Sequence, residues 1–130
     1  MKTIGKAVLA AALAAAPAAA AEPVQQLRIY EIFEPNKAAF HARFRDDAMR
    51  IMRRHGFRIV SMWEAKSAEK TEFVYLLDWP DQQTMKAAWA AFMADPEWAE
   101  IKRVTGARHG QMVGEIQDRT LRLTDYSPRP

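Results

Sequence analysis

The sequence predicts a single α+β domain in which two helices cover one face of a four-stranded antiparallel sheet. Segments with alternating apolar residues, typical of strands, occur four times after residue 26. Segments with apolar residues three and four positions apart, typical of amphipathic helices, follow the first and the third of these strands. The resulting order, β-α-β-β-α-β, is the ferredoxin-like arrangement.

Length and composition limit the chain to one globular domain. It has 130 residues, of which 49% are hydrophobic, and it contains no Cys. That apolar share excludes a disordered or collagen-like chain. The net charge is +3, from 19 Lys and Arg against 16 Asp and Glu, but two of the lysines lie near the N-terminus in a segment that we expect to be removed. The remaining charge is close to zero, so we expect no nucleic-acid partner.

Residues 1–21 have the three-part pattern of a secretory signal peptide. Lysines near the start are followed by the apolar stretch Ala7–Ala16 and by small residues that end at Ala21. The apolar stretch has about half of the roughly 20 residues that a membrane-spanning helix needs. We therefore expect cleavage between Ala21 and Glu22, no stable membrane anchor, and a periplasmic or secreted product.

The first half of the domain is predicted as a strand followed by a long helix. Leu27–Phe33 alternates, with apolar residues on both faces. In Lys37–His55 the apolar residues recur at helical spacing. Asn36 is the predicted N-cap of this helix, and Gly56 is its predicted C-terminal stop.

The next two strands are predicted as a β-hairpin that leads into the second helix. Phe57–Ala65 and Phe73–Trp79 alternate, and the polar segment Lys66–Lys70 joins them. Asp81 is the predicted N-cap of the following helix. Its buried stripe is predicted to consist of Met85, Ala88, Trp89, Phe92 and Met93.

A further short helix is predicted to begin directly afterwards. Asp95 is suited to the N-cap and Pro96 to the first helical position, and we expect this helix to end by Gly106. Residues 106–114 contain three glycines and are predicted as a loop, and the last strand lies within Glu115–Thr124. Residues 22–25 are then a short linker, 26–127 the folded domain and 128–130 a tail.

Two helices leave the second face of the sheet uncovered. That face carries a second apolar set, including Val74 and Leu76 of the third strand. An exposed apolar surface of this kind marks a contact with a partner. Packing of two copies sheet to sheet across a twofold axis would bury both surfaces, so we predict a homodimer.

Several segments together resemble the NIPSNAP family, within the dimeric α+β-barrel superfamily. They cover nearly all of residues 26–127, and the most specific is Met85–Trp98. The others are the strand Leu27–Tyr30, Trp63 at its spacing from Gly56, and the segment Tyr75–Trp79. Asn36 and Met62 stand where the family tends to have glycine. The resemblance implies the same fold and dimer, with no settled reaction.

The superfamily resemblance also implies enzymes, namely cofactor-independent monooxygenases and haem-degrading proteins. Glu31 lies among apolar residues of the first strand, where a carboxylate must be paired or neutralised. It is a candidate general base if unpaired, and structural if paired with Arg28 or Arg122. His41 is a candidate for contacting a substrate or a haem iron between helix and sheet, or else a solvent-facing helix residue.

Aromatic strand residues are the candidates for a ligand pocket. They are Tyr30, Trp63, Tyr75 and Trp79, and His109 in the glycine-rich segment is a candidate lid residue. The interpretation we favour for these aromatics is packing in the core and the dimer interface. The basic helix face formed by Arg43, Arg50, Arg53 and Arg54 is predicted to be solvated. No metal-ligand spacing, phosphate loop or nucleophile motif occurs.

These observations predict an exported, homodimeric domain that binds a small apolar ligand or a protein partner without a cofactor. The alternative is an enzyme of the cofactor-independent monooxygenase or haem-degrading type. Glu31, His41, Tyr75 and Trp79 are its first candidate residues. An enzyme needs a cavity into which polar groups converge, whereas an interaction module can fill that space with side chains.

Overall fold

Four strands form one antiparallel sheet in the computed structural model, which describes residues 22–129. The strands are β1 (Val24–Ile32), β2 (Arg58–Ser67), β3 (Lys70–Trp79) and β4 (Val113–Leu121). Their order in the sheet is β2-β3-β1-β4, which confirms the predicted ferredoxin-like arrangement. The predicted signal peptide, residues 1–21, lies outside the described residues.

Helices cover one face of this sheet. After a 3-10 turn (Glu34–Asn36), α1 (Lys37–Arg43), a π-helical segment (Phe44–Ala48) and α2 (Met49–Arg54) continue one another without a break. This confirms the predicted first helix. The second helical pair, α3 (Gln82–Met93) and α4 (Pro96–His109), follows β3. None of the helices within residues 22–129 is long and apolar enough to cross a membrane.

Local sequence signals determine where most helices begin and end. The Asp81 carboxylate accepts a hydrogen bond from Thr84 N at 2.6 Å, and Asp95 accepts from Glu97 N and Trp98 N, as predicted for N-caps. Asn36 makes no such cap, because its amide instead donates to the carbonyl oxygen of Gln111 at 2.7 Å.

Gly56 ends α2 as predicted. It has a φ of +86°, and the neighbouring Phe57 N donates to Met52 O at 3.1 Å across the end of the helix. This hydrogen bond and the positive φ of Gly56 are typical of a Schellman motif, in which the left-handed residue is usually glycine. The polypeptide can therefore turn sharply from α2 into β2.

The C-terminal part departs from the prediction in three places. α4 continues to His109, because Gly110, with a φ of +79°, ends the helix and Gly106 remains helical. β4 begins at Val113, so the predicted loop over residues 106–114 is shorter than expected and Leu123 lies beyond the strand. Met93 is 54% exposed, because the buried face of α3 follows Met85, Ala88 and Phe92 instead.

Both faces of the two central strands carry apolar residues, as predicted. Tyr30 and Ile32 of β1 and alternate residues of β3 from Thr71 to Trp79 are buried beneath the helices. The opposite face carries the half-buried Leu27, Ile29, Val74 and Leu76. We call this second surface the uncovered face of the sheet.

Candidate functional site

A cavity of about 260 Å³ lies between the helices and the sheet. Arg28 and Tyr30 reach it from β1, and Trp89 and Trp98 reach it from α3 and α4. The remaining lining residues are mostly apolar and include Phe40, Phe44, Ala48, Met52, Phe92, Val113 and Ile116. The volume is slightly below the roughly 300–1,000 Å³ typical of small-molecule sites, so it suits only a small ligand, of one or two rings.

The π-helical segment contributes one wall of this cavity. The backbone N–H of Met49 bonds to the carbonyl oxygen of Phe44, five residues earlier, so this turn is wider than an α-helical one. Phe44 and Ala48, at the two ends of the widened turn, both line the cavity. Such single π-turns are frequent at functional sites.

Two tyrosines and an arginine form a hydrogen-bonded cluster at the sheet side of the cavity. The hydroxyl oxygens of Tyr30 and Tyr75 lie 2.5 Å apart, and Arg28 Nη2 donates to the Tyr30 oxygen at 3.4 Å. Tyr75 is fully buried, and burial raises the pKa of its hydroxyl well above the usual range, with Tyr30 adding to the effect. Tyr75 therefore keeps its proton.

The direction of the tyrosine hydrogen bond follows from this burial. Among the described residues, the Tyr30 oxygen is the one hydrogen-bond acceptor available to the Tyr75 hydroxyl. Leaving a buried hydroxyl hydrogen unpaired would cost about 1–3 kcal/mol. Donation from Tyr75 to Tyr30 avoids this cost, because Tyr30 lines the cavity and its own hydrogen can then bond to a molecule there.

Arg28 is the most enclosed charge of the site. Its guanidinium lies 4.4 Å from the centre of the Trp89 ring, and Nη1 lies 3.3 Å from the Asp118 carboxylate. Its buried Nε has no hydrogen-bond partner among residues 22–129. Burial acts to lower the pKa of Arg28, but Tyr30 and Tyr75 outweigh it and the pKa is raised, so the guanidinium stays charged.

Arg43 and Lys102 supply two further positive charges. Arg43 Nη1 donates to Thr105 Oγ1 at 3.0 Å, and its guanidinium lies 5.5 Å from the centre of the Trp98 ring. Lys102 Nζ lies 5.8 Å from the same ring. Neither side chain forms a salt bridge with the part of the chain described here, and no acidic residue lines the cavity. The cavity is therefore electropositive.

The aromatic pocket candidates separate into different environments. Tyr30 lines the cavity, and Tyr75 lies directly behind it. Trp79 is buried near the end of the sheet and donates its indole N–H to Gln26 Oε1 at 3.0 Å. Trp63 is 50% exposed on β2, where it pairs with Val74. Of these four residues, Tyr30 is the one that lines the cavity.

The ionisable candidates lie outside the cavity. Glu31 is on the uncovered face with its Oε2 3.3 Å from Lys70 Nζ, so it is paired, as in the structural alternative, but with a lysine of β3 and not with Arg28 or Arg122. His41 lies in an open groove between α1 and β2, where its Nε2 is 3.1 Å from Glu64 Oε2. His109 is the exposed last residue of α4 and belongs to no glycine-rich loop.

The cationic side chains of the cavity were not recognised in the sequence. Arg43 was predicted to be solvated, but it is half-buried against Trp98 and Thr105, two residues of α4. The burial of Arg43 depends on how α4 packs against α1, and no local sequence pattern specifies that packing. Arg28 did carry a signal, because it alternates with Tyr30 and Ile32 and so belongs to the buried face of β1.

Neither a metal nor a haem is supported by the residues present. Within residues 22–129 no three or more His, Asp or Glu side chains come together in a group that could hold a metal ion. The candidate haem ligand, His41, bonds to Glu64 in the groove and does not line the cavity.

Comparison with known proteins agrees with this fold. A NIPSNAP-like domain protein from Burkholderia xenovorans has a TM-score of 0.69 and 20% identity, over 83% of this chain and 90% of its own. A Streptomyces coelicolor monooxygenase, solved with nanaomycin D, has a TM-score of 0.54 and 13% identity, over 84% and 94%. A Streptomyces nogalater cofactor-independent oxygenase has a TM-score of 0.50 and 18% identity, over 82% and 100%.

The family assignment comes from the sequence itself. A search of curated proteins finds no significant match. The NIPSNAP family model, in contrast, matches residues 25–128, which is most of the chain and includes every strand and helix described above except Val24, the first residue of β1. This confirms the resemblance seen in the sequence, and the chain belongs to the NIPSNAP family.

Proposed function

We propose that the protein binds a small aromatic molecule in the cavity between the helices and the sheet. The observation that carries this proposal is the open, mostly apolar space into which Tyr30, Arg28 and Arg43 converge. Binding sites for small molecules combine apolar walls with a few polar groups in this way. A domain that served only for assembly would be expected to fill the same space with side chains.

Cofactor-independent oxygenation is the second candidate function. It is supported by the fold shared with the two Streptomyces oxygenases and by the Tyr30 hydroxyl, which is placed to donate a hydrogen bond to a bound molecule. Glu31 and His41 lie elsewhere, and no carboxylate or histidine lines the cavity in the described part of the chain. Binding is the better supported function, because none of the described residues that line the cavity is a carboxylate or histidine placed to act as a general base.

The proposal includes a homodimer formed through the uncovered face. Leu27, Ile29, Val74 and Leu76 place apolar side chains side by side across β1 and β3. A second copy packed on this face would bury them and leave the cavity, on the opposite side of the sheet, free for a ligand. We also propose export, on the basis of the signal-peptide pattern in residues 1–21.

Calorimetric titration with 2-naphthoate and 2-naphthamide tests the binding proposal. We expect one molecule of at least one of these two-ring compounds to bind per subunit. Ile116 lines the cavity from β4 and is half-exposed, so Ile116→Trp should narrow it and weaken binding at least tenfold. Val60→Trp is the matched control, because Val60 is similarly exposed on β2 and lies away from the cavity.

Two outcomes would contradict this function. Absence of binding of both compounds at millimolar concentration would leave the cavity without a role as an aromatic site. Equal weakening by Ile116→Trp and Val60→Trp would mean that the compounds bind somewhere else.

A further inference from the structure

We propose that the cavity selects aromatic carboxylates over neutral molecules of the same shape. The carboxylate is bound by the Arg43 guanidinium and the Tyr30 hydroxyl, with Lys102 adding positive charge. This inference rests on the proposed function, since it names the class of ligand that the same cavity takes. Three features carry it: the charge of the lining residues, the donor that the Tyr30 hydroxyl offers to the cavity, and the aromatic walls.

The positive charge of the residues that line the cavity favours an anionic ligand. Arg28, Arg43 and Lys102 line it, and of these Arg28 is paired with Asp118. Arg43 has five N–H donors, and its described side-chain hydrogen bond is the one to Thr105. A half-buried guanidinium without a counter-ion is unfavourable, and a ligand carboxylate would supply the missing charge and accept its free N–H groups.

The Tyr30 hydroxyl adds a donor at the sheet side of the same cavity. When Tyr75 donates to the Tyr30 oxygen, as its burial favours, and Arg28 donates to the same oxygen, the Tyr30 hydrogen has no acceptor among the described residues. Two donations to this oxygen also polarise the O–H group and strengthen the bond that it gives. An acceptor in the ligand satisfies this group: a carboxylate offers two charged oxygens, an amide one neutral oxygen and an ammonium group none.

The other walls select an aromatic framework for the acid. Phe40, Phe44, Trp89 and Trp98 surround the space, and aromatic pairs in edge-to-face or offset contact are favourable beyond the area they bury. A phosphate monoester fits less well, because a second negative charge would lose its hydration beside these apolar walls. The chemistry therefore favours a singly charged, planar acid of one or two rings.

The matched pair 2-naphthoate and 2-naphthamide separates charge from shape. Hydrogen bonds to charged groups typically contribute enough to change affinity about 10- to 150-fold. We expect 2-naphthoate to bind at least tenfold more tightly than 2-naphthamide by isothermal titration calorimetry. Arg43→Met should remove most of this preference, so that the ratio of the two affinities falls towards one.

Three further variants locate the contact. Tyr30→Phe keeps the ring but removes the donor, so it should weaken 2-naphthoate binding about fivefold or more. Arg45→Met is the charge-matched control for Arg43→Met, because Arg45 is exposed, pairs with Asp46 and does not line the cavity. It should leave both affinities unchanged. If Arg43→Met fails to fold, as judged by circular dichroism, Lys102→Met provides the same test with a smaller expected effect.

The failures of the two proposals are distinguishable. Equal affinity for both compounds in the unaltered protein would overturn anion selection and leave small-molecule binding standing. Binding of neither compound would overturn both proposals. Equal losses of 2-naphthoate affinity in Arg43→Met and Arg45→Met would mean that the overall charge attracts the anion, and would overturn the assigned contact.

Discussion

Gln26 holds the wall of the cavity through a buried hydrogen-bond network. Its side chain is almost fully buried, and its Oε1 accepts the indole N–H of Trp79 at 3.0 Å and that of Trp89 at 2.7 Å. Its Nε2 donates to Asp118 at 2.9 Å. Gln26→Leu keeps a side chain of similar size but removes the acceptor for both indoles, so it should destabilise the fold.

The magnitude follows from how deeply each partner is buried. An unpaired buried donor costs about 1–3 kcal/mol, and Trp79, which is 2% exposed, should lose about 2 kcal/mol. The half-buried Trp89 should lose about 1 kcal/mol, and Asp118 is exposed enough to bind water. The greater hydrophobicity of leucine offsets about 1 kcal/mol. We therefore expect the free energy of unfolding to fall by about 2 kcal/mol.

Urea denaturation followed by tryptophan fluorescence measures this change. With a denaturant slope of about 2 kcal/mol per molar, the midpoint should fall by about 1 M in urea. Gln25→Leu is the matched control, because Gln25 is the neighbouring residue on the opposite face of the sheet. Among the described residues, its side chain forms a hydrogen bond only with the side chain of Asp78. A midpoint for Gln26→Leu within 0.2 M (about 0.4 kcal/mol) of the unaltered protein, or an equal fall in Gln25→Leu, would refute this reasoning.

Three further predictions concern other parts of the domain. Hydrogen bonds from Arg54 and His55 hold the pKa of the Asp95 carboxyl well below its usual range. The stability that this lowered pKa gives is present above about pH 4 and is lost as the pH falls. In Asp95→Asn the melting temperature should therefore depend less on pH below about pH 4. Gly56→Ala should cost about 1 kcal/mol in a urea titration, because alanine is disfavoured at a φ of +86°. Glu31→Gln should change stability by less than about 1 kcal/mol and leave 2-naphthoate binding unaltered, because the Lys70 pair lies across the sheet from the cavity. Loss of 2-naphthoate binding in Glu31→Gln would contradict this and mean that Glu31 takes part in the binding site.

The elements were predictable because their signals are local. Asp81 and Asp95 cap helices by contacts within three residues, and the left-handed Gly56 ends another. Alternation along β3 correctly separated its two faces. The end of α4 was misplaced because Gly106 and Gly110 look alike in sequence, and a helix tolerates one glycine at a cost of only about 1 kcal/mol.

The cavity was less predictable because it is made of distant segments. Arg43 meets Thr105 across 62 residues, and Gln26 meets Trp89 across 63. Periodicity places each residue on a face of its own helix or strand, but does not say which face of another element it will meet. Glu31 drew attention as a charge among apolar residues, yet its partner Lys70 comes from the hairpin end of β3. Charges on a strand therefore need the sheet register before a role can be assigned.

A crystal structure of the protein grown with 2-naphthoate tests most directly whether the cavity is the binding site. We predict density for the naphthalene ring between the helices and the sheet, against Trp89 and Trp98. Its carboxylate should lie within hydrogen-bond distance of the Tyr30 hydroxyl and the Arg43 guanidinium. An empty cavity at saturating ligand, or density confined to the uncovered face or to the groove at His41, would contradict the proposed site.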